Sequence, residues 1–141
     1  MVEHADSVIL IVDDDPVICD VLRVVFESEG FGAHTVYRGE EAVEWARDHM
    51  PQAIILDLMM PGINGWETCR QLKRDPRTNR IPVVVLTARV TERDRNLSLW
   101  AGAESFLTKP VETDDLVGAV KRTIESTTRP PYAPESGRSR G

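Results

Sequence analysis

Val8-Ile9-Leu10-Ile11-Val12-Asp13-Asp14-Asp15-Pro16 sets five consecutive apolar residues against three consecutive carboxylates. A run without polar alternation suits a strand covered on both faces, as in a parallel sheet. Pro16 fits the first turn of a following helix, where its missing amide hydrogen leaves no bond unmade. The unit recurs along the chain. Short apolar runs at Gly32–Val36, Ala53–Leu58, Pro82–Thr87 and Glu104–Thr108 read as further strands, and strand starts fall 21 to 29 residues apart. Such intervals hold one helix and two short loops.

The segments between them predict helices. Val17, Ile18, Val21, Leu22, Val24 and Val25 supply the apolar spacing of the first, which should stop at Gly30. Ala42, Val43, Trp45 and Ala46 mark the second, and the third covers roughly Trp66 to Lys73. The fourth, roughly Thr91 to Trp100, has Leu97, Leu99 and Trp100 as its main hydrophobes and should pack loosely. The fifth is expected to start at an N-cap, Thr113, followed by Asp114 and Asp115, with Leu116, Val117, Val120 and Ile124 facing inward. Five βα units predict an α/β fold: a doubly wound, five-stranded parallel sheet with helices on both faces.

Composition narrows the function classes. The 141 residues carry 17 Lys and Arg against 23 Asp and Glu, a net charge of −6, which disfavours direct nucleic-acid binding by these residues. The longest apolar run is the five residues of Val8–Val12, too short to cross a bilayer, so no membrane association is expected. The acidic start, Met1 to Asp6, is unlike a secretory signal, and Cys19 and Cys69 form no C-x-x-C pair; a reduced, cytoplasmic protein is expected. Residues 1–6 read as an N-terminal extension and 7–126 as the folded domain. Residues 127–141 hold three of the nine prolines and read as a disordered tail or linker.

In open α/β sheets, ligands bind beyond the carboxyl ends of the strands. That edge receives Asp13-Asp14-Asp15 from strand one, Asp57 from strand three, Thr87-Ala88 from strand four and Thr108-Lys109-Pro110 from strand five. Carboxylates about 4 Å apart repel by roughly 4 kcal/mol at an effective dielectric of 20, so a compensating cation is expected. A hard divalent ion held by carboxylates, a backbone carbonyl and water fits Mg²⁺. A carboxylate, a dication, an ammonium and a hydroxyl are the parts that phosphoryl transfer to an oxygen nucleophile needs. Singly, each has a plainer reading: Asp15 caps a helix, and a lone strand-end Asp is more often structural. Convergence at one edge favours the functional one.

The combination of Ile9–Asp15, Leu56-Asp57-Leu58-Met59-Met60-Pro61-Gly62, Leu86-Thr87-Ala88, Gly102-Ala103 and Thr108-Lys109-Pro110 resembles the response-regulator receiver domain of two-component signalling, over roughly residues 7–126. The resemblance implies a flavodoxin-like (βα)5 receiver fold and a phosphorylation-dependent switch. Asp57 would be the phosphoacceptor, served by a sensor histidine kinase or histidine phosphotransfer protein. Asp14, Asp57 and the Met59 carbonyl would ligate Mg²⁺, with Mn²⁺ as a substitute, and Asp13 would act through water. Lys109 would pair with Asp57 or its phosphate, and Ala88 and Met59 would contact the phosphoryl group. Thr87 and Phe106 would form the switch. Pro110 matches a position with a cis peptide, which would aim Lys109 at the site. The surface of helix four, strand five and helix five would control a downstream effector or output domain. By this reading the protein catalyses only its own phosphorylation and dephosphorylation.

The resemblance also implies a kinase-docking surface at Ile18, Cys19 and Leu22. Met59 and Arg89, beside the site, do not look suited to orient an attacking water, which predicts slow self-dephosphorylation. Val111 stands where phenylalanine is common, and Leu116-Val117-Gly118-Ala119 lacks an arginine used for dimer contacts by winged-helix members. His4, His34 and His49 are scattered, without metal-ligand spacing, and Trp45, Trp66 and Trp100 read as packing residues. Trp100 could report the switch by fluorescence. Two other chemistries use the same edge. A phosphohydrolase of the haloacid-dehalogenase type would take Asp13 as nucleophile and Asp15 as acid/base, and would leave Asp57 unexplained. A flavin mononucleotide module would place phosphate where three carboxylates stand.

Overall fold

A computed structural model describes residues 7–58, 64–88 and 91–128. Strands β1 (Val8–Val12), β2 (Gly32–Val36), β3 (Ala53–Leu56), β4 (Val83–Thr87) and β5 (Ser105–Thr108) alternate with helices α1 (Pro16–Ser28), α2 (Gly39–His49), α3 (Gly65–Arg74), α4 (Glu92–Ala101) and α5 (Thr113–Thr128). The strands form one sheet in the order β2-β1-β3-β4-β5 with every pairing parallel. β1 therefore has β2 on one side and β3 on the other, so the winding direction reverses beside it. The crevice beyond β1 and β3 is the place for a ligand in this topology.

The apolar runs end inside both faces. Leu10, Val12, Ile54, Leu56, Val83 and Val85 meet α2, α3 and α4 on one side. Ile9, Ile11, Ala53, Ile55, Val84 and Leu86 meet α1 and α5 on the other. Two buried faces remove any need for polar alternation. β3 ends at Leu56, two residues short of the expected span, so Asp57 stands just past its carboxyl end.

The first helix differs from expectation. Its buried residues are Cys19, Leu22 and Phe26, whereas Val17, Val21 and Val24 are 68%, 52% and 61% exposed. The segment carries two apolar stripes, and the one holding the large Phe26 faces the sheet. Ile18 and Val25 lie at the margin of that core. The fifth helix begins one residue earlier than its expected cap implies. The Leu116 amide donates to the Glu112 carbonyl at 3.0 Å, so Glu112 holds the cap position and Thr113 is the first helical residue. On α4, Leu97 is half-buried and Trp100 half exposed. Among the described residues no helix is long and apolar enough to cross a membrane.

Candidate functional site

Short backbone bonds aim the strand ends. The Asp57 amide donates to the Val12 carbonyl at 2.9 Å, which sets the end of β3 beside the end of β1. Asp13 donates its amide to Val36 at 3.2 Å, and its Oδ1 accepts the Asp15 amide at 2.9 Å. Asp15 then accepts from the Val17 amide at 3.0 Å as the N-cap of α1. That capping bond occupies the side chain that a dehalogenase-type reading would need as acid/base.

The result is a cluster of three carboxylates. Ligand oxygens of Asp13, Asp14 and Asp57 lie within 4.8 Å of one another, Asp14 exposed and the other two buried. At that separation each pair repels by at least about 3 kcal/mol at an effective dielectric of 20. The Lys109 ammonium answers part of this, 3.4 Å from Asp13 Oδ2 and 3.7 Å from Asp57 Oδ2. Lys109 is thus shared, and sits nearer Asp13 than the Asp57 partner the sequence suggested. Its amide donates to the Thr87 carbonyl at 2.7 Å, tying the end of β5 to the end of β4, and the Lys109–Pro110 bond is cis.

The donor set suits a hard cation. Oxygens around Mg²⁺ at 2.0–2.1 Å stand roughly 3–4 Å apart, a spacing these carboxylates nearly meet as they are. One lysine leaves the trio with excess negative charge, so a dication fits on electrostatic grounds too. Thiolate chemistry does not fit: burial first, and then the Asp13 charge, push the Cys19 thiol up to about 11, and burial pushes Cys69 up to about 12.

Thr87 is fully buried at the end of β4, and Ala88 follows it, exposed. Phe106 is half-buried on β5, against the core shared by α2, α3 and α4. Met59 and Arg89 lie outside the described residues, as do Met60, Pro61, Gly62 and residues 1–6 and 129–141. Cys19 and Leu22 are buried and cannot form a docking surface. The large exposed apolar residues of α1, the helix that starts directly after Asp15, are Val17, Val21 and Val24.

Sequence reasoning missed two features here. The first is that valine stripe. The second is Asp94, a buried carboxylate at the start of α4 whose Oδ2 accepts the Thr91 hydroxyl at 2.7 Å while its amide donates to Thr91 Oγ1 at 3.0 Å. The Thr91-x-x-Asp94 spacing is a legible capping signal. The tryptophans and histidines are also more specific than expected. Trp45 stacks with His34 at 4.3 Å and with His49 at 4.1 Å between ring centres, beside a groove of about 440 Å³ lined by Tyr37, Glu41, Glu44 and Asp48.

Comparison with known proteins gives the same picture. The family model for the response regulator receiver domain matches residues 9–121. The chain is 40% identical over 116 residues to the phosphate regulon transcriptional regulatory protein PhoB of Rhizobium meliloti, covering 82% of this chain and 51% of that one. It spans about half the length of the curated relatives it matches. Among solved structures it resembles the signal receiver domain of a signal transduction histidine kinase from Syntrophus aciditrophicus, at 37% identity and a TM-score of 0.82, covering 88% of this chain and 94% of that one. It also resembles the receiver domain of a sensor histidine kinase from Pseudomonas aeruginosa PAO1, described with a magnesium ion coordinated in the active site cleft. That match has 31% identity and a TM-score of 0.79, and covers 85% of this chain and 98% of that one.

Proposed function

The chain belongs to the response-regulator receiver family, and we propose that it is a switch thrown by phosphorylation of Asp57. The phosphoryl donor is a phosphohistidine on a sensor histidine kinase or a histidine phosphotransfer protein. A carboxylate oxygen of Asp57 forms the new bond to phosphorus as the phosphorus–nitrogen bond breaks. The departing imidazole keeps that electron pair and takes up a proton. The observation that carries this reading is the pair of buried carboxylates, Asp13 and Asp57, sharing one ammonium at 3.4 and 3.7 Å.

Asp14, Asp57 and the Met59 carbonyl would hold Mg²⁺, or Mn²⁺ in its place, with Asp13 acting through water; the bound ion supplies positive charge against the phosphoryl oxygens. Lys109 orients toward the new phosphate once the Asp57 carboxylate has become an acyl phosphate, and the Ala88 amide takes another phosphoryl oxygen. The Thr87 hydroxyl follows, and Phe106 turns into the space it leaves. The altered surface of α4, β5 and α5 then controls a downstream effector or output domain. The curated relatives are named as DNA-binding or transcriptional regulators; for this chain a transcriptional output is a proposal that rests on them. The chain catalyses only its own modification, in the cytoplasm. The receiver unit, expected over residues 7–126, extends to the end of α5 at Thr128, with 129–141 as tail or linker.

The partner helix docks on the stripe of Val17, Val21 and Val24 beside the site. Incubation with acetyl phosphate and Mg²⁺ should add one phosphoryl group, mapped by mass spectrometry to Asp57 and lost in Asp57→Asn. A phosphoryl group on Asp13 would favour the dehalogenase-type chemistry instead.

A further inference from the structure

Trp66 occupies the first turn of α3 and is 8% exposed, so its indole N–H needs a partner inside the protein. That partner is Asp94 Oδ1, 3.4 Å away on α4. The indole ring also lies 5.9 Å from the Phe106 ring, centre to centre, tilted by 34°. One side chain therefore touches both the switch phenylalanine of β5 and the only buried acid described on α4. Its own base is held tightly. A Cβ at Gly65, the preceding residue, would meet Leu58 Cα at 2.6 Å and the Asp57 carbonyl at 2.9 Å, so α3 begins pressed against the peptide of the phosphoacceptor.

The first turn of α4 is fixed by the Thr91–Asp94 pair of hydrogen bonds, and the Arg95 guanidinium reaches over the Phe106 ring at 5.8 Å. A buried carboxylate is expensive to leave without donors, so Asp94 stays where its hydrogen bonds are. We propose that Trp66 is a positioning residue that carries the state of Phe106 to the first turn of α4, packing on the phenyl ring while its N–H holds Asp94. When Phe106 turns inward the indole loses its ring partner and resettles, and Asp94, with the start of α4, moves with it. This rests on the receiver reading above and names the route by which that site reaches its output surface.

The test uses the protein labelled with 5-fluorotryptophan, Mg²⁺, and beryllium trifluoride as the acyl-phosphate mimic, read by fluorine NMR. The bound fluoride signal reports whether Asp57 is occupied, independently of tryptophan. The Trp66 resonance, assigned by Trp66→Phe, should shift on occupancy, and Phe106→Leu should abolish that shift. Hydrogen exchange of the α4 first-turn amides gives the second readout. In Trp66→Phe, which keeps a ring and removes the N–H, those amides should exchange about fivefold faster before addition and no longer respond to it. Asp94→Ala provides the same arm with Trp66 intact: the Trp66 shift persists and the α4 response is lost. A stationary Trp66 resonance with bound fluoride present overturns the proposal, as does a full α4 response in both variants. Absence of bound fluoride overturns the receiver reading, and the proposal with it.

Discussion

Replacing Lys109 by methionine removes the ammonium that contacts both Asp13 and Asp57 and keeps most of the side-chain stem. At an effective dielectric of 20, the contacts at 3.4 and 3.7 Å are worth about 5 and about 4.5 kcal/mol of Coulomb attraction. Much of this offsets the desolvation of an ammonium whose side chain is only 25% exposed, and removing one partner of such a pair has a net cost of about 3 kcal/mol. For a domain of this size that lowers Tm by about 10 °C in EDTA, measured by calorimetry or circular dichroism. The trio then carries one more uncompensated negative charge and attracts a dication more strongly. Saturating Mg²⁺ should therefore raise Tm more in Lys109→Met than in the wild type, closing much of the gap. An equal or smaller Mg²⁺ shift in the variant, or no loss of stability in EDTA, would refute the electrostatic account of the site.

Other perturbations probe separate parts of the fold. Burial first, and then the charge of His49, hold His34 below its ordinary value of 6.5. The unfolded chain therefore takes up that proton first: stability is full above about pH 6.5 and falls as pH drops through the lowered folded value. Thermal melts across that window should show the loss, and a smaller one in His34→Gln. Gly65→Ala drives a Cβ against the backbone of Leu58 and Asp57, which should cost about 2–3 kcal/mol in denaturant melts and slow labelling by acetyl phosphate. Val21→Asp puts a charge into the exposed stripe of α1. It should slow phosphoryl transfer from a histidine-phosphorylated partner at least about tenfold while leaving the acetyl phosphate reaction unchanged.

The sheet was legible because a strand buried on both faces needs apolar residues at every position. Val8–Val12, Ala53–Leu56 and Val83–Leu86 have that signature, and they locate the crevice by themselves. The site was legible for the same reason: charged residues directly after such strands have only one edge to occupy. Asp13, Asp14, Asp57 and Lys109 do converge there. The orientation of α1 was not legible. Two apolar stripes compete for the core, and the contest is settled by the volume of Phe26 against Ile9, Ile11 and Phe31, which periodicity does not weigh. Nor was the sharing of Lys109 between Asp13 and Asp57, because ångström-scale choices between two carboxylates depend on the turn after β5. The Trp66–Asp94 contact joins residues 28 apart on different helices, and no local pattern predicts such a pair.

The dependence of aspartyl phosphorylation on the dication tests the central claim most directly. A time course of phosphoryl incorporation from acetyl phosphate, followed by intact mass across a Mg²⁺ titration, should saturate with Mg²⁺ and stop in EDTA. Asp14→Asn should weaken the Mg²⁺ dependence severely. Incorporation at an undiminished rate in EDTA would contradict the claim that three strand-end carboxylates gather a cation to make one of them a phosphoryl acceptor.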